Sequence, residues 1–280
     1  MRKILITGTK SYIGQNLEKW LGNSPEKYSI ETISLRNGAW REKDFSVYDV
    51  VVHVAGIAHI KEKRENAHLY YKVNRDLAYE VAQKAKVEGI KQFIFLSSMS
   101  VYGIENGLIG KNSPLKPKSN YGKSKLQAEE LIRSLENTEF NVAIIRPPMV
   151  YGKGCKGNYV RLANLALKAP IFPGVENKRS MIYIGNLCEF LRLIIDDFST
   201  GLFFPQNQDY VCTSEMVKTI AELHGTNIRM TKLFNSFLRL ISISTVKKVF
   251  GDLVYEKQID GYKKRYTIYD FETSIKLTEK

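Results

Sequence analysis

The chain has 280 residues, 44% of them hydrophobic and 25% charged, with a formal net charge of +13. That length suits one large domain or a cofactor domain with a smaller lobe, and the apolar content excludes intrinsic disorder. The surplus of positive charge attracts polyanions in general, yet no arginine-rich run or zinc-finger spacing singles out nucleic acid.

In chain order, "KILITG", "YSIETISL", "YDVVVHVAG", "KQFIFLSS" and "NVAIIRP" are rich in β-branched residues and read as strands buried on both faces. The first starts directly after Met1, Arg2 and Lys3, and Thr7-Gly8 breaks it too soon for a secretory signal. Helical patterns over 13–22, 67–88 and 122–136 fall between strands, which predicts a parallel sheet with helices on both faces. Past residue 150, "YGKGCKGNYVRLANLALKAP" predicts a loop leading into a helix. "RSMIYIGNLCEFLRLIIDDF" predicts a short strand leading into another. The expected organisation is a doubly wound α/β domain over 1–150 and a smaller lobe over 151–280, with some later elements packing back on the sheet. Cys155, Cys188 and Cys212 lie far apart with no C-x-x-C pair, which argues against a disulfide framework or a metal site and suits a reducing cytoplasm. No apolar run approaches the ~20 residues of a membrane span.

Ligands in such folds sit beyond the carboxyl ends of the strands, so the chemistry is sought there. After the first strand come Gly8, Ser11 and Gly14 at three-residue spacing, with Tyr12 and Ile13 between the last two. Gly8 allows a tight turn, Gly14 lets helix and strand pack closely, and the helix N-terminus offers free N–H groups to a pyrophosphate. Ser11 stands where a middle glycine is usual; it is small, and its hydroxyl can donate to phosphate. Tyr12 reads as a packing residue more than a contact. An acid at the end of the second strand would bind an adenosine 2′-hydroxyl and repel a 2′-phosphate. Here Ser34 stands near that place, with Arg36 just beyond. NAD and NADP therefore both stay open, and Arg36 is either a phosphate partner or an ordinary loop residue.

Tyr121 and Lys125, four apart on a predicted helix, share one face. An ammonium beside a phenol favours phenolate and lowers its pKa, which makes Tyr121 a candidate acid/base for a hydroxyl or ketone. Ser98, after the neighbouring strand, can hydrogen-bond the same oxygen.

On "ITGTKSYIG", "VVHVAGIA", "FLSSMSVYG", "YGKSK" and "IIRPPMVYGKG" the chain resembles the extended short-chain dehydrogenase/reductases of the NAD-dependent epimerase/dehydratase branch, from residue 3 to about 275. The resemblance implies a Rossmann-type doubly wound parallel sheet with a C-terminal substrate-binding lobe, NAD(P) as cofactor and a nucleotide sugar as substrate. It implies Ser98, Tyr121 and Lys125 as the catalytic triad and Gly8, Ser11 and Gly14 as the cofactor turn. It places Ala55-Gly56 along the cofactor after a fourth strand, with Asn74 steadying that region and Arg146-Pro147 closing the nicotinamide side. Hydride would pass between nicotinamide C4 and a sugar carbon while Tyr121 moves the oxygen's proton. Lys125 would hold the cofactor ribose, and Ser98, with Ser100, would meet the substrate.

Where the family's dehydratases carry an Asp-Glu pair after the serine, this chain has Met99 and Ser100, which excludes their carboxylate-driven elimination. Asn158 and Arg179 match positions that grip the nucleotide diphosphate. Two reactions remain. Reduction of a UDP-4-keto sugar in bacterial polysaccharide precursor synthesis is favoured by the missing ribose acid, the short chain and the tail "KKVFGDLVYEKQIDGYKKRYTIYDFETSI". A UDP-glucose or UDP-N-acetylglucosamine 4-epimerase fits the opening motifs equally. A non-catalytic NAD(P) sensor is a distant third, since such proteins typically lose the tyrosine or lysine that this chain keeps. The resemblance also implies a homodimer through helices 67–88 and 122–136. The basic, partly amphipathic stretch 229–253 is either a lobe helix with lysines at its rim or a weak peripheral membrane contact.

Overall fold

The structure, a computed structural model, describes residues 1–58, 60, 62–233, 235, 249–257, 259 and 262–280. In chain order the first half runs β1 (Arg2–Thr7), α1 (Tyr12–Leu21), β2 (Tyr28–Ile33), β3 (Val50–His53), α2 (Ala67–Tyr71), α3 (Leu77–Val87), β4 (Gln92–Leu96), β5 (Gly107–Ile109), α4 (Asn120–Arg133) and β6 (Asn141–Ile145). The second half runs β7 (Met149–Tyr151), α5 (Asn158–Lys168), β8 (Ile171–Pro173), β9 (Met181–Tyr183), α6 (Ile184–Asp196), β10 (Gly201–Phe203), α7 (Thr213–Leu223), β11 (Arg229–Thr231), β12 (Leu253–Tyr255) and α8 (Phe271–Glu279).

The main sheet has six strands in the order β2-β1-β3-β4-β6-β10, all parallel. Alternate residues of each strand face opposite layers. Ile4, Ile6, Val50, Val52 and Ile94 meet Leu17 and Leu21 of α1 and the apolar face of α6. Leu5, Val51, Phe93 and Phe95 meet Ala78, Val81 and Ala82 of α3 and Ala128 and Ile132 of α4. Burial on both faces is what the unbroken apolar runs predict, and it confirms the doubly wound α/β class.

Chain order reverses between β1 and β3, so the crevice beyond their carboxyl ends is the topological switch point. One detail differs from expectation. Ala55-Gly56 follow the third strand of the chain, not a fourth. The segment from Ser34 to Asp49 forms no strand; it folds back through a short 3₁₀ turn, Ala39–Arg41, and buries Trp40 and Phe45. Beyond residue 150, α6 and β10 return to the sheet, and Gln92 Nε2 donates to the carbonyls of Ile194 (3.0 Å) and Ser199 (2.8 Å). Of the other elements, α5 and α8 each pack on α7, and short parallel pairs tie loops together: β8 with β11, and β12 with β5 of the first half. Among the described residues no helix is long and apolar enough to cross a membrane. The apolar and cationic core of the 229–253 stretch lies outside the described residues.

Candidate active site

The turn after β1 is closed by backbone bonds: Gly8 N donates to Ile33 O and Ser11 N to Gly8 O, both at 2.7 Å. Gly8 sits at φ +94°, and a Cβ there would press on the Ala55 backbone at 3.1 Å. A Cβ on Gly14 would meet Val54 Cγ2 at 2.9 Å, so its bare backbone sets the close approach of α1 to the sheet. Ser11 is the N-cap of α1, its Oγ accepting from Gly14 N at 3.3 Å. That bond uses the hydroxyl oxygen and leaves the hydroxyl proton for an anion. Tyr12 instead packs under Gly152, with its hydroxyl buried; burial, with smaller contributions from Cys155 and Tyr183, pushes the phenol pKa up. Ile13 packs on the core. Because Ile33 O closes the turn, Ser34 and the exposed Arg36 emerge beside it, with Ser34 Oγ accepting from Arg36 N at 3.4 Å.

Past β3, Gly56 faces Asn74 and Lys125: a Cβ there would stand 3.0 Å from Asn74 Oδ1 and 3.5 Å from Lys125 Nζ. Asn74 is fully buried on a π turn, Lys72–Asp76, between α2 and α3. Its Oδ1 accepts from Ile57 N (2.7 Å), and its Nδ2 donates to Ile57 O (3.0 Å) and Ser124 Oγ (3.2 Å). One side chain thus clamps the post-β3 loop to α4. The irregular turn, of a kind that often marks functional positions, aims it inward.

Ser98, Tyr121 and Lys125 come together. Ser98 lies two residues beyond β4, at the N-cap of the short 3₁₀ turn Met99–Tyr102, and donates to Ser100 Oγ at 3.1 Å. Tyr121 is in the first turn of α4, whose N-cap Ser119 accepts from Gly122 N at 3.1 Å. Tyr121 is half-buried, stacks edge-on to Tyr70 at 6.5 Å and stands beside the Ser98 hydroxyl. Lys125, one turn on and 5% exposed, donates to Leu96 O at 2.7 Å and lies 4.5 Å from the centre of the Phe95 ring. Burial pushes its pKa down to about 8, against the pull of Glu129. The phenol differs from expectation. Burial raises the Tyr121 pKa, the Ser98 hydrogen bond pulls it back, and Lys125 is not among the groups that move it. The ammonium is turned to the Leu96 carbonyl, so proximity along the helix does not by itself make a phenolate.

Arg146 also departs from the reading that set it on the nicotinamide side. It is 3% exposed and forks onto Glu129, with Nε 3.0 Å from Oε1, while Nη1 donates to Tyr102 Oη at 2.9 Å. Pro147 stays at the site edge, its carbonyl accepting from Met99 N at 3.0 Å. No sequence motif announced Glu129. Its one signal was an acid four residues after Lys125, on the same helix face.

A separate cavity of about 920 Å³ opens between Ile60 and the start of α5, lined also by Cys155, Lys156, Gly157, Asn158, Val160 and Arg161. It does not include the Ser98 centre, but Tyr70 links them, donating to Ile60 O at 2.8 Å while packing on Tyr121. Asn158 is the first residue of α5, whose first turn carries no acid. Arg179 does not join it: its guanidinium donates to Gly251 O at 2.9 Å, its backbone pairs with Val211, and burial lowers its pKa. Lys156 and Arg161, and not Arg179, are the cations lining this cavity. Among the described residues no group of His, Cys, Asp or Glu could hold a metal ion.

The glycine-gated turn, the bare Gly56 backbone beside Asn74 and Lys125, and the switch-point crevice all fit a dinucleotide. A family model described as "NAD dependent epimerase/dehydratase family" matches residues 4–212. The UDP-glucose 4-epimerase of Vibrio cholerae is 32% identical over 249 residues, covering 79% of this chain and 75% of that protein. The N-acetyl-α-D-glucosaminyl-diphospho-ditrans,octacis-undecaprenol 4-epimerase of Escherichia coli O157:H7 is 35% identical over 205 residues, covering 71% of this chain and 61% of that protein. Among solved structures, MoeE5 in complex with UDP-glucose and NAD superposes with a TM-score of 0.71 at 18% identity, over 99% of this chain and 97% of that one. With the family match spanning most of the chain and the fold and turn agreeing with it, this chain belongs to the NAD-dependent epimerase/dehydratase family.

Proposed function

We propose that this chain moves a hydride at C4 of a nucleotide-linked sugar, with Tyr121 giving or taking the proton of the reacting oxygen. The observation that carries this reading is the convergence of Ser98, Tyr121 and Lys125 beyond β4, beside the bare Gly56 backbone. NAD(P), when bound, supplies or accepts the hydride. Gly8, Ser11, Ile13 and Gly14 would hold its pyrophosphate, Ser34 and Arg36 would meet its adenosine ribose, and Ala55, Gly56, Lys125 and Pro147 would line its nicotinamide half. Ser98 and Tyr121, side by side, would bracket one substrate oxygen. Burial keeps the phenol protonated at neutral pH, ready to donate to a carbonyl oxygen. As that proton leaves, the Ser98 hydroxyl, which lowers the phenol pKa, favours the phenolate. Asn158, Lys156 and Arg161 at the N-terminus of α5 would take the sugar's diphosphate. Met99 and Ser100 offer no carboxylate for elimination.

Reduction of a UDP-4-keto sugar is the reading favoured at the end of β2, where no acid stands to repel a 2′-phosphate and Arg36 is exposed. A UDP-hexose 4-epimerase is the second, favoured by the names of the Vibrio cholerae and Escherichia coli relatives. Mass spectrometry of the cofactor that copurifies separates them. Tightly retained NAD supports the epimerase, whereas an empty site with NADPH preference supports the reductase. For either reaction, Tyr121→Phe is expected to lower turnover by roughly 10²–10⁴-fold while leaving the melting temperature near wild type. Equal inertness of wild type and variant with every 4-keto and 4-hydroxy UDP-sugar tried would sink the reading.

A further inference from the structure

A buried charge network lies directly behind the Ser98 centre, and the reaction as described does not use it. Glu129, 2% exposed, sits one turn after Lys125 on α4. Arg146 binds both of its oxygens, with Nε at 3.0 Å from Oε1 and 3.2 Å from Oε2, and Nη2 at 2.5 Å from Oε2. Ser97, the residue before Ser98, donates its hydroxyl to Glu129 Oε1. Arg146 immediately precedes Pro147, and its carbonyl accepts from the Tyr255 hydroxyl of the lobe at 2.9 Å. Four pieces of the site therefore meet at one carboxylate: the helix carrying Tyr121 and Lys125, the strand end carrying Ser98, the turn carrying Pro147, and, through Arg146, the lobe.

A buried ion pair is costly to desolvate and is a weak source of stability, so placing one here calls for another role. We infer that Glu129 is the positioning residue of the proposed acid/base centre: it fixes Ser98 and Pro147 through Ser97 and Arg146, and it supplies the negative charge that holds Lys125 as an ammonium. The inference rests on the hydride-transfer reading above. The surroundings of Lys125 leave that task to Glu129. From β3 comes His53, fully buried and neutral; from β4, the Leu96 carbonyl and the face of the Phe95 ring, neither of them charged; from the π turn, the uncharged Asn74; and from its own helix, Tyr121 and Glu129. Arg146, beyond Glu129, adds a second cation whose charge Glu129 also answers. Without the carboxylate, burial would drive Lys125 towards the neutral amine in the range where the enzyme works.

The test is the pH dependence of NADH and NADPH binding, titrated by nicotinamide fluorescence between about pH 6 and pH 9.5, which needs no sugar substrate. Wild type should hold its affinity up to about pH 8, where Lys125 loses its proton, and weaken above that. In Glu129→Gln the weakening should begin at least about one pH unit lower, and Glu129→Asp should restore most of the wild-type limb. A merely structural role would lower affinity equally at all pH values. A folded Glu129→Gln protein with the wild-type limb overturns the inference. If that variant, which strands the Arg146 charge, does not fold, Arg146→Gln carries the test: it leaves the Glu129 carboxylate to Lys125 alone, so the limb should begin no lower than in wild type, and a limb that begins lower overturns the inference. Wild-type protein that binds neither NADH nor NADPH at any pH would instead remove the hydride-transfer reading itself.

Discussion

At the scale of single residues, His53 shows how the centre of the sheet constrains the chain. It ends β3 with no exposure, between Phe93 and Phe95, with Nδ1 3.1 Å from Thr7 Oγ1 and Nε2 without a hydrogen-bond partner. Burial, helped by the Lys125 charge, pushes its pKa down to about 3. The unfolded chain therefore takes up a proton near pH 6.5 that the folded chain refuses. Stability from this residue is complete above about pH 6.5 and is lost as the pH falls towards about 3, at a slope of up to ~1.4 kcal/mol per pH unit. Chemical denaturation across that window should show a shallower decline in His53→Phe than in wild type. An identical decline would mean that other groups dominate acid unfolding.

At the scale of elements, α1 illustrates how a departure from a glycine pattern is absorbed. Ser11 replaces a glycine's freedom with a cap, since its Oγ satisfies one of the four N–H groups the helix start leaves open. Ser11→Ala should cost about 1 kcal/mol in denaturant unfolding and Ser11→Gly only a few tenths, because glycine is itself tolerated at a cap. Elements of this kind were legible in the sequence. Buried parallel strands need unbroken apolar runs, and helices between them need a 3.6-residue period, so the sheet, α1 and α4 emerge from pattern alone. The Gly8 turn and the Ser98–Tyr121–Lys125 trio were legible for the same reason, each being tied to the end of one such element. What pattern could not give was whatever depends on partners distant in sequence. Glu129 and Arg146 lie 17 residues apart on different elements, Arg179 found Gly251, and the Lys125 ammonium found a strand carbonyl rather than the phenol.

At the scale of the whole molecule, the helices of one face form a single slab. Arg75 Nη1 donates to Gln127 Oε1 and Tyr71 Oη to Asn120 Oδ1, each at 2.9 Å, which joins the α2–α3 run to α4. We propose that this slab pairs with its copy as a four-helix dimer. Light scattering should return twice the chain mass, and charge reversal at the exposed Lys123 and Glu130 of α4 should shift the product towards the single chain. A single-chain mass at every concentration would exclude the dimer. The opposite border of the sheet raises a different matter. Among the described residues no strand pairs with the outer edge of β2, the geometry on which foreign strands grow. The returning segment lays Lys43 and Tyr48 onto Glu31 in the middle of β2, with Lys43 Nζ 2.7 Å from the carboxylate. That small cluster contributes little to folding, but it sets charge on a sheet face beside this border strand, of the kind that discourages edge-to-edge pairing. Its worth is measured in colloidal terms: how concentrated the protein can become before its edges begin to recruit one another.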